Sequence, residues 1–363
     1  MRVSDSLMPT DRTFLVTGAG GFIGGRIVEV LQTLELGTVR AGLRRWATGA
    51  RVGRFPVQLV KCDVKHTDEV REALRGVTDV VHCAVGDRST TVEGTRVLLS
   101  GALEAGVRRA VHISTVDVYG GPEGDVDETY PLTPSGQVYG DSKIEAEEVC
   151  QELASRGLPL AILRPTLVHG PFSTSWTIAF AQRLQARPWL VPEADAVGTC
   201  NLVYVDDLAG AVIAALDADT PPGEAFNING PERPTWNQYF HALNDAMGLP
   251  QLVLGAPTRA RLSAMAVQPL RKSAKFLLRH FEPQIMAAYQ RSDVLRALMK
   301  RAERVIRTTP SPGDFAAYRR RTSYATGKAE RMLGYCPRFS MADALPLAAA
   351  WLHDHGFVAT ASF

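Results

Sequence analysis

The run Thr17-Gly18-Ala19-Gly20-Gly21-Phe22-Ile23-Gly24 constrains this chain more than any other stretch. It follows the apolar Phe14-Leu15-Val16 and opens an amphipathic segment from Ile27 to Leu36, so it reads as strand, glycine turn, helix. In such a turn Gly18 bends tightly, Gly21 admits a close backbone approach, and Gly24 packs the helix on the strand. The N–H groups freed over Phe22 and Ile23, with the positive helix end, suit a pyrophosphate.

Beyond the turn, short β-branched runs alternate with helical spacing. Strands are expected at Phe14–Thr17, Val39–Arg44, Val57–Cys62, Val80–Ala84, Ala110–Ser114 and Leu160–Pro165, with brief ones at Asn201–Val205 and Ala225–Ile228. Helices are expected at Ile23–Leu36, Asp68–Arg75, Thr95–Ala105 and Ser142–Ala154. That alternation specifies an α/β fold with a doubly wound parallel sheet and helices on both faces. From residue 236 onward the pattern is mostly helical, with breaks at Pro269, Pro283 and Thr309–Gly313. The 363 residues suffice for a large α/β domain with a smaller lobe. The nucleotide-binding domain is placed at 1–170 with a returning portion near 200–230. A mostly helical lobe is placed at 171–199 and 231–363.

No apolar stretch is long enough to span a bilayer, and residues 1–11 show no signal pattern. Five scattered cysteines without C-x-x-C spacing read as reduced thiols, so a cytoplasmic protein is expected. The eight histidines show no metal spacing on a shared helix apart from His353-x-His355, which reads as surface, and no metal site is expected.

The residue that chooses between nicotinamide cofactors lies about 20 positions past the turn, at the end of the second strand. An acid there would bind the ribose 2′-OH; this chain has Arg44 and Arg45, after Arg40. A guanidinium fork suits a 2′-phosphate, which favours NADP over NAD. Asp63, with Val64 beside it, ends the third strand and is placed to accept from the adenine amine. Ala84 and Val85 end the fourth strand, under the middle of the cofactor.

Tyr139-Gly140-Asp141-Ser142-Lys143 sets a phenol and an ammonium four residues apart, on one face of a helix. A lysine cation and a nicotinamide charge both favour the phenolate, bringing a tyrosine toward working pH. A hydroxyl from another strand end then holds the substrate oxygen; Thr115 is placed for that, with Ser114 beside it.

These residues resemble the extended short-chain dehydrogenase/reductase family, with its nucleotide-sugar epimerases and dehydratases, steroid dehydrogenases and ketone reductases. Carrying the resemblance are Thr17–Gly24, His112–Gly120, Tyr139–Lys143, Leu163-Arg164-Pro165, Val203–Asp207 and Tyr324–Pro337. It implies a Rossmann domain, a smaller C-terminal substrate lobe, and a Thr115/Tyr139/Lys143 triad. Tyr139 would be the acid/base, Lys143 would bind the ribose and lower the tyrosine's pKa, and Thr115 would orient the substrate oxygen. Pro165 falls on the cofactor side, as do Ser114, Tyr139 and Lys143, while Ser114, Thr115, Asp117 and Trp176 fall on the substrate side. Family members often dimerise through two helices of each subunit.

Departures narrow the reaction. Dehydratases of the family carry an acidic pair after the threonine; here it is Val116-Asp117. Nucleotide-sugar members commonly read R-Y-x-N-V-Y-G where this chain reads Arg164-Pro165-Thr166-Leu167-Val168-His169-Gly170. Many also have Arg-Asp where Cys200-Asn201 stand. With Arg44, these favour a carbonyl reductase or alcohol dehydrogenase over a nucleotide-sugar epimerase with bound NAD. A non-catalytic NADP-binding regulator is the reading from another class, and the intact triad argues against it.

Residues 259–321 hold 15 Lys/Arg against four acids, within an insertion spanning about 256–321. Phe276, Leu277, Leu278 and Phe281 sit among Arg271, Lys272, Lys275 and Arg279. Val294, Leu295, Leu298, Met299, Ala302 and Ile306 recur at helical spacing, with Arg296, Lys300, Arg301, Arg304 and Arg307 interleaved. A basic amphipathic helix suits either an anionic membrane surface, where a keto-lipid would be the substrate, or a cap packed on the lobe. No nucleic-acid motif is recognisable. Asp206-Asp207, after a strand and before Leu208–Leu216, reads as a helix N-cap.

Overall fold

The computed structural model describes residues 12–185, 191–252, 262–271, 273–274, 276–277, 285 and 292–358. The expectations for residues 1–11 and for Arg259, Lys272, Lys275, Leu278, Arg279, Phe281 and Pro283 lie outside these, as do those for the side chains of Leu295, Arg304 and Arg307.

The first half alternates as expected: β1 (Thr13–Thr17), α1 (Phe22–Thr33), β2 (Thr38–Leu43), β3 (Gln58–Lys61), α2 (Thr67–Ala73), β4 (Asp79–His82), α3 (Arg88–Glu104), β5 (Arg109–Ile113). A short β6 (Gly124–Val126) precedes α4 (Val138–Ser155), β7 (Leu160–Pro165) and β8 (Leu167–His169). Then come α5 (Ala179–Gln185), β9 (Leu202–Tyr204), α6 (Val205–Asp217), β10 (Glu224–Ile228), α7 (Trp236–Ala246) and a helix α8 over 262–271. The chain continues with α9 (Asp293–Thr308), α10 (Pro312–Arg319), β11 (Thr322–Tyr324), α11 (Gly327–Leu333) and α12 (Met341–Asp354).

Seven parallel strands form one sheet in the order β10-β7-β5-β4-β1-β2-β3. Strand direction of progression reverses between β1 and β4, and a crevice at the carboxyl ends of those strands is where such sheets bind ligands. Away from the edge strand β3, both sheet faces are buried, so the strands read as near-continuous apolar runs whose side chains alternate between two cores. Phe14 and Val16 point into a core with Ile27, Val28 and Leu31 of α1 and Leu208 and Val212 of α6. Leu15 points the other way, among Val70, Leu98, Leu99, Val149 and Leu153 of α2, α3 and α4.

The residues divide into two compact units: 1–168, 201–231 and 322–339 in the first, and 169–200, 232–321 and 340–363 in the second. This corrects the placement of 231–363 wholly in a lobe. Thr322–Tyr324 forms a parallel ladder with Gly124–Val126, Tyr335 donates to the Asn229 carbonyl at 2.8 Å, and the Arg338 N–H donates to Asp207. Those bonds bind residues 322–339 into the first unit. They also correct Asp206-Asp207: Tyr204 is the cap residue of α6, with no side-chain capping bond. Asp206 instead receives Arg26 at 2.8 Å, and Asp207 receives the Arg338 and Phe339 N–H groups.

The second unit is built on an aromatic cluster. Phe180 and Tyr318 meet Trp236, Tyr239 and Phe240 of α7, with ring centroids 4.7–6.4 Å apart. Its helices start cleanly: Thr235 with Gln238, Ser311 with Asp314 and Ser340 with Asp343 each close a capping box.

Candidate active site

The glycine turn sits where β1 and β4 end. Gly18 has φ +67°, and a Cβ there would lie 2.8 Å from the Cys83 carbonyl and the Ala84 nitrogen. No side chain fits. A Cβ on Gly24 would lie 2.5 Å from the Gly18 oxygen, so α1 begins directly on the turn. The N-cap Gly21 has no side chain to satisfy the first N–H groups of α1, which stay available to an anion. Phe22 and Ile23 lean their half-buried rings and branches on the α1 core. This cradle fits the pyrophosphate of a dinucleotide.

At the end of β2, Arg44, Arg45 and Trp46 are all exposed and no acid follows the strand. The loop folds back on the turn, because a Cβ on Gly20 would strike Thr48 at 2.6 Å. Arg40 is committed elsewhere, donating to Gln58 at 2.9 Å and to the Ala73 carbonyl at 3.2 Å. Asp63 is half-buried and accepts from the Lys65 N–H at 3.2 Å, with Val64 buried beside it. Past β4, Ala84 is half-buried and Val85 is 51% exposed.

The catalytic candidates come together on β5 and α4. Thr115 accepts the Asp117 N–H at 3.2 Å, which leaves its own proton to donate, and its hydroxyl hydrogen-bonds Tyr139. Tyr139 is 47% exposed as a residue, and its hydroxyl lies against Thr115. Desolvation of that hydroxyl and then the Asp117 carboxylate push the phenol up to about 12, while the Thr115 bond pulls the other way. The Lys143 ammonium is buried and donates to the Ile113 carbonyl at 2.6 Å. Burial brings it down to about 8, opposed by Cys150, Cys83 and Glu147.

Ser114, expected on the substrate, donates instead to Glu147, and both are buried. Glu147 accepts Arg164 through both oxygens, at 2.6 Å from Nη2 and 3.0 Å from Nε. Arg164 in turn donates to Tyr119 at 2.8 Å, and Tyr119 to Asn227 at 2.7 Å. This chain of buried polar groups, reached through Ser114 beside Thr115, was not read from the sequence as a site. Its signal was there: Tyr139, Lys143 and Glu147 recur every four residues on one helix face, and a buried acid demands a base. Pro165 ends β7 beside Arg164.

On the neighbouring strands β4 and β5, the imidazoles of His82 and His112 pack with centroids 5.1 Å apart. His82 bonds Thr17 at 2.8 Å and Thr95 at 3.0 Å. Burial, then Lys143, lowers His82 to about 3, and His112 shifts the same way. Trp176 belongs to the second unit, where it stacks on Phe180 at 6.0 Å and accepts the Tyr239 hydroxyl on its carbonyl. Among the described residues no group of three His, Cys, Asp or Glu could hold a metal ion, and no helix is long and apolar enough to cross a membrane.

The sequence profile of the NAD dependent epimerase/dehydratase family matches residues 14–229. The chain belongs to that family. It is thus an NAD(P)-dependent enzyme of the extended short-chain dehydrogenase/reductase class, and its seven-stranded parallel sheet is the Rossmann-type domain of that class. It is 31% identical over 268 residues to sterol demethylase protein B of Methylococcus capsulatus, covering 68% of this chain and 78% of that protein. It is 26% identical over 267 residues to a 4-hydroxy-2-methyl-3-oxo-4-farnesyl-3,4-dihydroquinoline-1-oxide ketoreductase of Stigmatella aurantiaca, covering 70% and 78%. The crystal structure of UDP-glucuronic acid 4-epimerase from Bacillus cereus with NAD superimposes with a TM-score of 0.69 at 20% identity, covering 94% of this chain and 99% of that one.

Cys200 is buried, and buried Asn201 spends its amide on the Thr322 carbonyl at 2.9 Å.

Proposed function

We propose that this enzyme reduces a ketone on a hydrophobic, lipid-like substrate with NADP as the coenzyme. The observation that carries the reading is the hydrogen bond between Thr115 and Tyr139, which sets a phenol that holds its proton at neutral pH beside a hydroxyl able to bind a ketone oxygen. Arg44 and Arg45, both exposed at the end of β2 with no acid following the strand and on a loop whose Thr48 lies against the glycine turn, support the 2′-phosphate. The relatives whose names specify a sterol demethylase component and a farnesylated-quinoline ketoreductase support an apolar substrate.

The nicotinamide, when bound, supplies the hydride. Thr115 turns its proton to the ketone oxygen and so holds it beside Tyr139, whose Oη–H bond breaks to protonate the developing alkoxide. Lys143 keeps one N–H on the Ile113 carbonyl, and its remaining donors are available to ribose hydroxyls. Oxidation of the matching alcohol runs the same proton path backwards.

The test is fluorescence titration with NADPH and NADH, followed by turnover on hydrophobic ketones. Tyr139→Phe should cut kcat by roughly 10²–10⁴ with NADPH affinity unchanged. Preference for NADH, or tightly retained NAD with turnover of UDP-sugars, would replace this reading by an epimerase. NADPH binding without turnover of any ketone would favour a regulator.

A further inference from the structure

Large apolar side chains left in water are concentrated in one part of the second unit. Of the 18 exposed large apolar residues among those described, eight lie between Leu262 and Val305, in α8, its continuation and α9. Met265 is 67% exposed, Val294 81% and Leu298 62%. On α9, Val294, Leu298 and Val305 share one stripe at helical spacing, while the neighbouring Met299, Ala302 and Ile306 are half-buried. Exposed Arg301 falls beside that open stripe, and Lys300 is exposed further round the helix.

These helices are anchored. Arg271 of α8 donates to the Ile306 carbonyl at 2.9 Å and to the Thr309 carbonyl, closing the C-terminal end of α9. α9 also packs on α5. An anchored helix that still shows water an aliphatic stripe, within a segment of net charge +11, is half of an interface.

We propose that α8 and α9 dock this enzyme on the surface of an anionic lipid bilayer. The aliphatic stripe enters the headgroup–acyl boundary and the flanking bases meet lipid phosphates. Charge decides against the alternatives. A second copy would bring two segments of +11 together. A nucleic acid would satisfy the bases and leave Val294, Leu298 and Met265 in water, since aliphatic side chains offer bases nothing to stack on. The inference does not depend on which ketone, or which reaction, the site serves.

Full-length protein is sedimented with phosphatidylcholine vesicles and with vesicles of phosphatidylcholine plus phosphatidylglycerol, at low and high salt. Expected is co-sedimentation with the anionic vesicles only, weakened by salt. The double variant Val294→Glu/Leu298→Glu should lower the partition coefficient at least about tenfold, with an unchanged urea unfolding curve. Val294→Ser/Leu298→Ser gives the same readout without added charge. Lys300→Glu/Arg301→Glu should reduce the preference for phosphatidylglycerol. No binding to anionic vesicles would overturn the proposal, as would stripe variants that sediment like the parent. So would loss of the exposed stripe into a dimer by light scattering, or retention on RNA in place of vesicles.

Discussion

Lys143 is a cation held where charge is disfavoured, and the cost has a pH signature. Its folded value of about 8 lies below the 10.5 of an exposed lysine. Between those values the unfolded chain binds the proton and the folded one does not, so this residue makes stability rise with pH across the window. Below pH 8 the penalty is present in full. Lys143→Met should therefore leave cofactor-free stability at pH 7 equal or higher, and should remove that share of the rise between pH 8 and 10.5. Urea unfolding of both proteins at pH 7, 9 and 10 measures it; a large loss of stability at pH 7 would contradict the account. The same substitution should lower kcat by roughly 10²–10⁴, because the family chemistry uses the charge that the fold resists.

At the scale of an element, α4 is a single face carrying three jobs: Tyr139 at the opening, Lys143 buried one turn on, Glu147 buried one turn further. Glu147→Ala leaves Arg164 buried without its carboxylate, and the expected loss is about 3–5 kcal/mol by urea unfolding. Glu147→Leu combined with Arg164→Met should recover most of it, since both members of the pair are then apolar. The helices and strands around this face were legible because their periods repeat over many residues. Leu160–Pro165 was read to the residue, and the other sheet strands to within two at either end. α4 starts four residues before the expected Ser142, because the Pro131–Gly136 loop masks its first turn. β6 and β11 were not legible. Three residues carry no period, and their pairing joins positions about 200 apart. Glu147 escaped for a different reason: an acid within a charged helical run reads as solvated until burial shows otherwise.

At the scale of the molecule, three buried imidazoles decide the response to acid. Burial lowers His82 to about 3 and His169 to about 4, and His112 moves in the same direction. All three have folded values below the 6.5 of a free histidine, so as pH falls from 6.5 only the unfolded chain takes up their protons. Stability should fall at up to about 4 kcal/mol per pH unit from these groups together. Acid unfolding is expected above pH 4, followed by tryptophan fluorescence against pH. His112→Leu should flatten that limb by about one proton; an unchanged slope would show that His112 titrates in the folded chain. The chain also passes between its two units five times, and the last return, residues 322–339, supplies β11 to a ladder whose other strand lies at Gly124–Val126. A ribosome making this protein releases β6 long before its partner exists. The nucleotide-binding unit therefore reaches its final form only after residue 339 has been made, and no single contiguous fragment of the gene encodes it.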